Sequence, residues 1–182
     1  AHAAFEVGMA LDAHVVFAST SDVYGNAVPP FNEDDAIVLG PSTTRRWAYA
    51  VSKLYDEHLA LALAEDHKLR ITILRLFNVY GPGEAHKGPM ASVAFHLHGQ
   101  VAATGEARLF EGSGGYAAGE QRRDFVHVAD VADVNLWFYE RQKVSGVFNV
   151  GTGASATFNE VAKAIIAWHG KGAIRYIPFP NE

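Results

Sequence analysis

Short apolar runs alternate with longer helix-spaced segments along this chain, and turn residues separate them. Val15-Val16-Phe17-Ala18 and Ile71-Thr72-Ile73-Leu74-Arg75-Leu76-Phe77 are continuous apolar stretches, the pattern of parallel strands covered on both faces. Shorter runs of the same kind lie at 108–111, 125–128, 147–150 and 174–177. Helical spacing of apolar positions and alanines predicts helices over 1–11, 47–66, 90–103, 130–140 and 157–168. Asp130 is expected to open the fourth of these. Thr157-Phe158-Asn159-Glu160 has the form of a capping box, and Gly170 is placed to stop the helix that follows. The remaining segments, 19–30, 33–46, 78–89 and 113–121, are rich in Gly, Pro, Ser and Asn and read as loops. Strands separated by helices of ten or more residues need crossover connections, so the expected architecture is α/β with a parallel sheet. In such sheets ligands sit beyond the carboxyl ends of the strands, and the loops opening at Ser19, Asn78 and Gly151 are expected to share one rim.

Composition narrows the functional classes. The 182 residues are 49% hydrophobic and 19% charged, an ordinary globular balance for about one domain. Fifteen basic against twenty acidic side chains leave a formal charge of −5, which argues against a nucleic-acid partner. No apolar run has the length of a membrane span. There is no cysteine, so thiol catalysis, disulfides and cysteine-built zinc sites are excluded, and no metal site is expected. With no signal-peptide pattern, the expected location is cytoplasmic. The chain opens at Ala1 inside a helix-like segment and ends at Glu182 just after a strand-like one. It is therefore expected to be a piece of a longer protein.

Four clusters carry candidate chemistry. Tyr49 and Lys53 stand one helical turn apart, where an ammonium near a phenol favours the phenolate and suits the tyrosine to acid/base work. Taken alone, such a pair is a commonplace surface pattern. Ser19-Thr20-Ser21-Asp22 follows the first strand directly and would offer a hydroxyl to a ligand, although hydroxyl-rich turns are also ordinary. Phe77-Asn78-Val79-Tyr80-Gly81-Pro82 follows the next strand. Arg122-Arg123 could clamp a diphosphate or form a solvated charge pair.

The order strand-Ser-Thr, then Tyr-x-x-x-Lys, then strand-Asn-x-Tyr-Gly-Pro resembles the extended short-chain dehydrogenase/reductase family, the NAD-dependent epimerases and dehydratases. The resemblance implies a Rossmann-like doubly wound parallel sheet with a small C-terminal substrate-binding part. Residues 1–80 would be the C-terminal half of the dinucleotide-binding domain. Residues 81–182 would be mainly substrate-binding, with some elements returning to the first sheet. It also implies Thr20, Tyr49 and Lys53 as the catalytic set, with Lys53 on the nicotinamide ribose, NAD or NADP as cofactor, a nucleotide-diphosphate sugar as substrate, and a homo-oligomer.

From residue 77 to the end the likeness narrows to the ADP-glycero-manno-heptose 6-epimerases. It is carried by Phe77 to Pro82, Glu84 to His96, Leu109 to Ser113, Arg123 to Val126, Asp130 to Phe138 and Tyr176 to Pro180. This implies Lys87 as a second acid/base, with Val79, Tyr49, Lys53 and Lys87 at the cofactor. It implies Asn78, His96, Phe110, Glu111, Gly112, Ser113 and Arg123 as substrate contacts. Residues 13–64 look more like UDP-glucose 4-epimerases and UDP-glucuronate decarboxylases. Pro89 stands where the heptose epimerases have a serine, and 114–122 is longer than theirs. No Gly-x-x-Gly-x-x-Gly turn is present, so the sheet is expected to lack its N-terminal strands. The expectations are thus a nucleotide-sugar epimerase, a UDP-sugar epimerase or decarboxylase of the same fold, or a truncated, non-catalytic piece without a cofactor site.

Overall fold

Of the predicted apolar runs, the central one is buried on both faces; the run at 15–18 is half-buried with Ala18 exposed, because the strand it forms lies at the edge of its sheet. The computed structural model describes residues 1–179, so Pro180, which closes the Tyr176 to Pro180 stretch, lies outside the described residues. The chain divides into two compact units, Ala1–Phe77 with Asp130–Val150, and Asn78–Ala129 with Gly151–Glu182.

In the first unit α1 (His2–Ala10) leads into β1 (His14–Thr20), α2 (Trp47–His67) and β2 (Arg70–Leu76). The strands pair in parallel, Val15 with Ile71 and Thr20 with Leu76. On the other side of β2 runs β7 (Gly146–Val150), also parallel, with Leu76 opposite Val150. Central β2 is buried from Ile71 to Arg75. Phe5, Ala60, Leu69, Ile71 and Ile73 form the core beneath α1 and α2.

The second unit contains β3 (Asn78–Tyr80) beside β6 (Phe125–His127), and α3 (Val93–Thr104) leading to β4 (Glu106–Phe110). β4 pairs in parallel with β9 (Ala173–Ile177). Two-residue strands β5 (Arg122–Arg123) and β8 (Ala156–Thr157) pair antiparallel, and α5 (Phe158–His169) follows. Leu97, Val101, Ala107, Leu109 and Ala162 are its core. Helix α4 (Val128–Glu140) carries the chain from this unit into the first.

Several boundaries differ from the expectation. β1 continues through Ser19 and Thr20, because its backbone ladder with Arg75 and Leu76 outweighs the turn preference of two hydroxyl residues. Ser21–Tyr24 is then a 3-10 turn capped by the Thr20 side chain. The segment 78–89 is not all loop: three residues pair as β3, and Glu84–Met90 forms 3-10 turns broken at Gly88. α4 starts two residues before Asp130, whose carboxylate lies in the first turn rather than opening it. Among the described residues no helix is long and apolar enough to cross a membrane.

Candidate functional site

In the first unit the candidate groups gather at the carboxyl end of β1. Thr20 is half-buried, and its hydroxyl oxygen accepts the Asp22 N–H at 3.2 Å, which leaves its own O–H free to donate. Tyr49 and Lys53 lie in the first two turns of α2, set there by the buried Trp47 and Ala50 on the helix's inner side. Tyr49 is 52% exposed. Lys53 is half-buried. Its Nζ donates to the Ala18 carbonyl at 2.8 Å and stands 4.9 Å from the centre of the Phe17 ring. The other two N–H groups of that ammonium remain able to donate. Helical spacing pairs Lys53 with Tyr49 alone; the structure also ties it to the strand that carries Thr20.

Behind these groups lies a buried ion pair that the sequence pattern does not single out. The Arg75 guanidinium grips Glu57 through Nη2 at 2.7 Å and Nε at 3.2 Å. Burial works against the Arg75 charge, yet hydrogen bonds to Glu57 and Tyr24 hold its pKa above the ordinary value. The spacing Tyr-x-x-x-Lys-x-x-x-Glu was the available signal, since it continues one helical stripe inward.

In the second unit Val79 and Lys87 border the same pocket of about 190 Å³, together with Tyr80, Gly81, Pro82, Gly83, Glu84, His86 and Val128. Lys87 reaches it from the 3-10 segment, and Gly88 makes the reversal after it with φ 53° and ψ −128°, a conformation that side chains resist. Glu84 is 5% exposed and fixes the loop from inside. It accepts the N–H groups of Gly81 at 3.1 Å and Ser92 at 2.7 Å and the Ser92 hydroxyl at 2.7 Å, and its carboxylate faces Lys87 Nζ at 3.6 Å. Burial pushes the Glu84 carboxyl up, but the Ser92 and Gly81 hydrogen bonds and the Lys87 charge together hold it below the usual carboxylate range.

The other predicted contacts of this unit are spread over β3, α3, β4, β5 and the loop after β4. Asn78 Nδ2 donates to the Asp124 carbonyl at 3.3 Å. His96, on α3, lies 3.4 Å from the Pro89 carbonyl through Nε2. Phe110 is 43% exposed and packs on Phe179 at 5.0 Å between ring centres. Glu111 follows it on the surface, its N–H donating to Ile177. Gly112 lets the chain from Tyr116 to Ala117 pass where a Cβ would stand. The Ser113 hydroxyl lies 3.4 Å from Gln121 Nε2. The two arginines are divided: Arg122 is tied to Ser155 Oγ at 2.9 Å, whereas exposed Arg123 bonds the Arg122 carbonyl at 2.7 Å. Among the described residues no group of three or more His, Cys, Asp or Glu side chains could hold a metal ion.

Comparison with known proteins places the chain in a family. The family model for NAD dependent epimerase/dehydratases matches residues 1–151. The chain belongs to that family. It is 47% identical over 169 residues to an ADP-L-glycero-D-manno-heptose-6-epimerase of Alkalilimnicola ehrlichii, covering 92% of this chain and 50% of that protein. The Helicobacter pylori ADP-L-glycero-D-manno-heptose-6-epimerase structure superposes with a TM-score of 0.80 at 31% identity, over 95% of this chain and 51% of that one. A UDP-N-acetylglucosamine 4-epimerase of Methanobrevibacter ruminantium, solved with UDP-N-acetylmuramic acid, gives a TM-score of 0.83 at 26% identity, over 97% and 54%. The chain thus spans about half the length of these relatives.

Proposed function

We propose that this chain is the catalytic portion of an NAD- or NADP-dependent nucleotide-sugar epimerase whose substrate is an ADP-activated glycero-manno-heptose inverted at C6. The observation that carries the reading is Lys87, presented at the Val79 pocket and oriented by buried Glu84, within a sequence 47% identical to a heptose epimerase. Residues 1–80 are read as the C-terminal half of the dinucleotide domain and 81–182 as mainly substrate-binding. The pairing of β7 with β2 supports the view that later elements return to the first sheet.

The dinucleotide, when bound, takes up and returns one hydride at the sugar carbon. Lys53 offers its two spare N–H groups to the nicotinamide ribose. Tyr49 Oη takes the proton of the hydroxyl on that carbon as oxidation proceeds, and the Thr20 O–H holds the same oxygen. After the carbon has presented its other face, Lys87 Nζ supplies the proton on re-reduction. Inversion asks for proton transfer in two substrate orientations, which two carriers serve better than one. Arg123, Ser113 and Glu111 would hold the nucleotide diphosphate and sugar, with Asn78, His96, Phe110 and Gly112 shaping their seat.

The test is turnover by the full-length protein of ADP-glycero-manno-heptose against UDP-glucose, with Lys87→Ala alongside. The expected result is heptose turnover that falls by about 100-fold in the variant. Turnover of UDP-glucose alone, untouched by Lys87→Ala, would establish instead the UDP-sugar epimerase or decarboxylase reading, which the likeness of residues 13–64 and the 4-epimerase superposition favour. Failure of the full-length protein to perturb nicotinamide fluorescence would leave the non-catalytic reading.

A further inference from the structure

Helix α2 carries a stripe with one member every four residues: Tyr49, Lys53, Glu57. Four residues overshoot a helical turn by about 40°, so the stripe winds inward along the helix. Tyr49 is 52% exposed, Lys53 half-buried and Glu57 2% exposed. Its two inner members hold consecutive residues of β1. Lys53 Nζ donates to the Ala18 carbonyl, and the buried Ser19 hydroxyl donates to Glu57 Oε1. The next residue is Thr20.

Glu57 is itself fixed from the sheet. Arg75, which grips it, is the cross-strand partner of Ser19. Arg75 Nη1 donates at 2.9 Å both to Tyr24 Oη and to the Glu33 carbonyl. Tyr24 Oη donates at 2.8 Å to Asn149 Oδ1, and Asn149 is the partner of Arg75 on β7. Asn149 in turn donates its backbone N–H to Glu33 Oε1 at 2.6 Å. One row of side chains across β1, β2 and β7 therefore closes on a single carboxylate of α2.

A buried ion pair adds little stability over apolar side chains of the same volume, because desolvation offsets the attraction. What it supplies is registry. A helix slid by one turn would leave Glu57 and Arg75 charged, buried and unpaired. We propose that Glu57 is a positioning residue: held by Ser19 and Arg75, it sets the rotation and height of α2 on β1 and so the placement of Tyr49 and Lys53 against Thr20. This rests on the catalytic roles proposed above for those three residues.

The test uses the full-length enzyme with its cofactor and three variants: Ser19→Ala, Glu57→Gln, and the double variant E57M/R75M, which removes both charges together. Ser19→Ala is expected to melt within about 2 °C of wild type, to lower kcat about 5- to 10-fold and to leave KM within about 2-fold, since small misplacements of reacting groups act on rate. The double variant is expected to recover melting temperature relative to Glu57→Gln while kcat stays at least about 10-fold down, with a displaced pH–rate profile. Recovery of kcat together with melting temperature, or an unchanged kcat and pH profile in Ser19→Ala, would overturn the proposal. If wild type turns over no nucleotide sugar, the catalytic reading fails separately. Positioning is then read from the NMR chemical shifts of the Tyr49 ring, which Ser19→Ala and E57M/R75M are expected to move and which an unconnected network would leave in place.

Discussion

Two charged side chains that face each other, Glu84 and Lys87, differ in what they can do because they differ in burial. Glu84 is enclosed and saturated with donors, whereas Lys87 is partly open to the pocket it borders. The carboxylate is therefore the fixture, and the ammonium is the group proposed above as an acid/base. Because the folded carboxyl sits below its ordinary value of 4.5, Glu84 contributes stability that is fully present above that value and is lost as pH falls through the folded one. Melting temperature against pH is expected to show this: Glu84→Gln should flatten the acid limb, and the two curves should converge at low pH. Unchanged acid limbs would remove Glu84 from the linkage. Tyr49→Phe should leave the fold intact, since the ring is half exposed, and should cost at least about 100-fold in kcat on the sugar substrate. Full activity in that variant would exclude Tyr49 as a proton carrier. Thr20, Tyr49 and Lys53 could be nominated from the sequence because each stands at a fixed offset from a strand end or a helical turn. Glu57 continues the Tyr49–Lys53 spacing, but its burial depends on Ser19 and Arg75, which are distant in sequence; Glu84 has no periodic signature and is explained by the loop folded around it.

Elements with strong local signals are where the sequence pattern and the structure agree best. Thr157 caps α5 as the capping box predicts, its hydroxyl taking the Glu160 N–H at 3.0 Å while Glu160 returns to the Thr157 N–H at 2.6 Å, and Gly170 ends the helix in the left-handed conformation. Thr157→Ala is expected to cost about 1 kcal/mol, read as a fall of about 2–4 °C in melting temperature. A variant that melts with wild type would show the cap to be idle. Elements formed by pairing across sequence were harder to read. β3 is three residues long and exists because Asn78 to Tyr80 meet Phe125 to His127. β5 and β8 have two residues each and no pattern of their own. Helix α2 ends at Lys68 with φ 56°, a position where glycine is the usual signal, so its stop was visible only from the strand that follows.

At the scale of the molecule, the parallel order β1-β2-β7 places the most enclosed backbone in β2. Amide exchange should be slowest at Thr72, Ile73 and Leu74, and faster along β5 and β8, whose pairing is brief. Exchange in β2 as fast as in β5 would contradict the sheet assignment. The α/β class was legible here because crossover helices leave buried strands with unbroken apolar runs. Which strands meet, rather than where composition changes, decides the division into units. The two units are interleaved, each assembled from two separate stretches of chain. Synthesis from the N-terminus therefore delivers β1 and β2 early, but their sheet waits for β7 until the whole stretch Asn78–Ala129 has been made. A chain stopped after Phe77 would leave β2 with one side unpaired, and a protease cut at 77–78 would leave the units joined by the chain at 129–130 and 150–151. Separating the two units thus calls for new joins from 77 to 130 and from 129 to 151 rather than truncation.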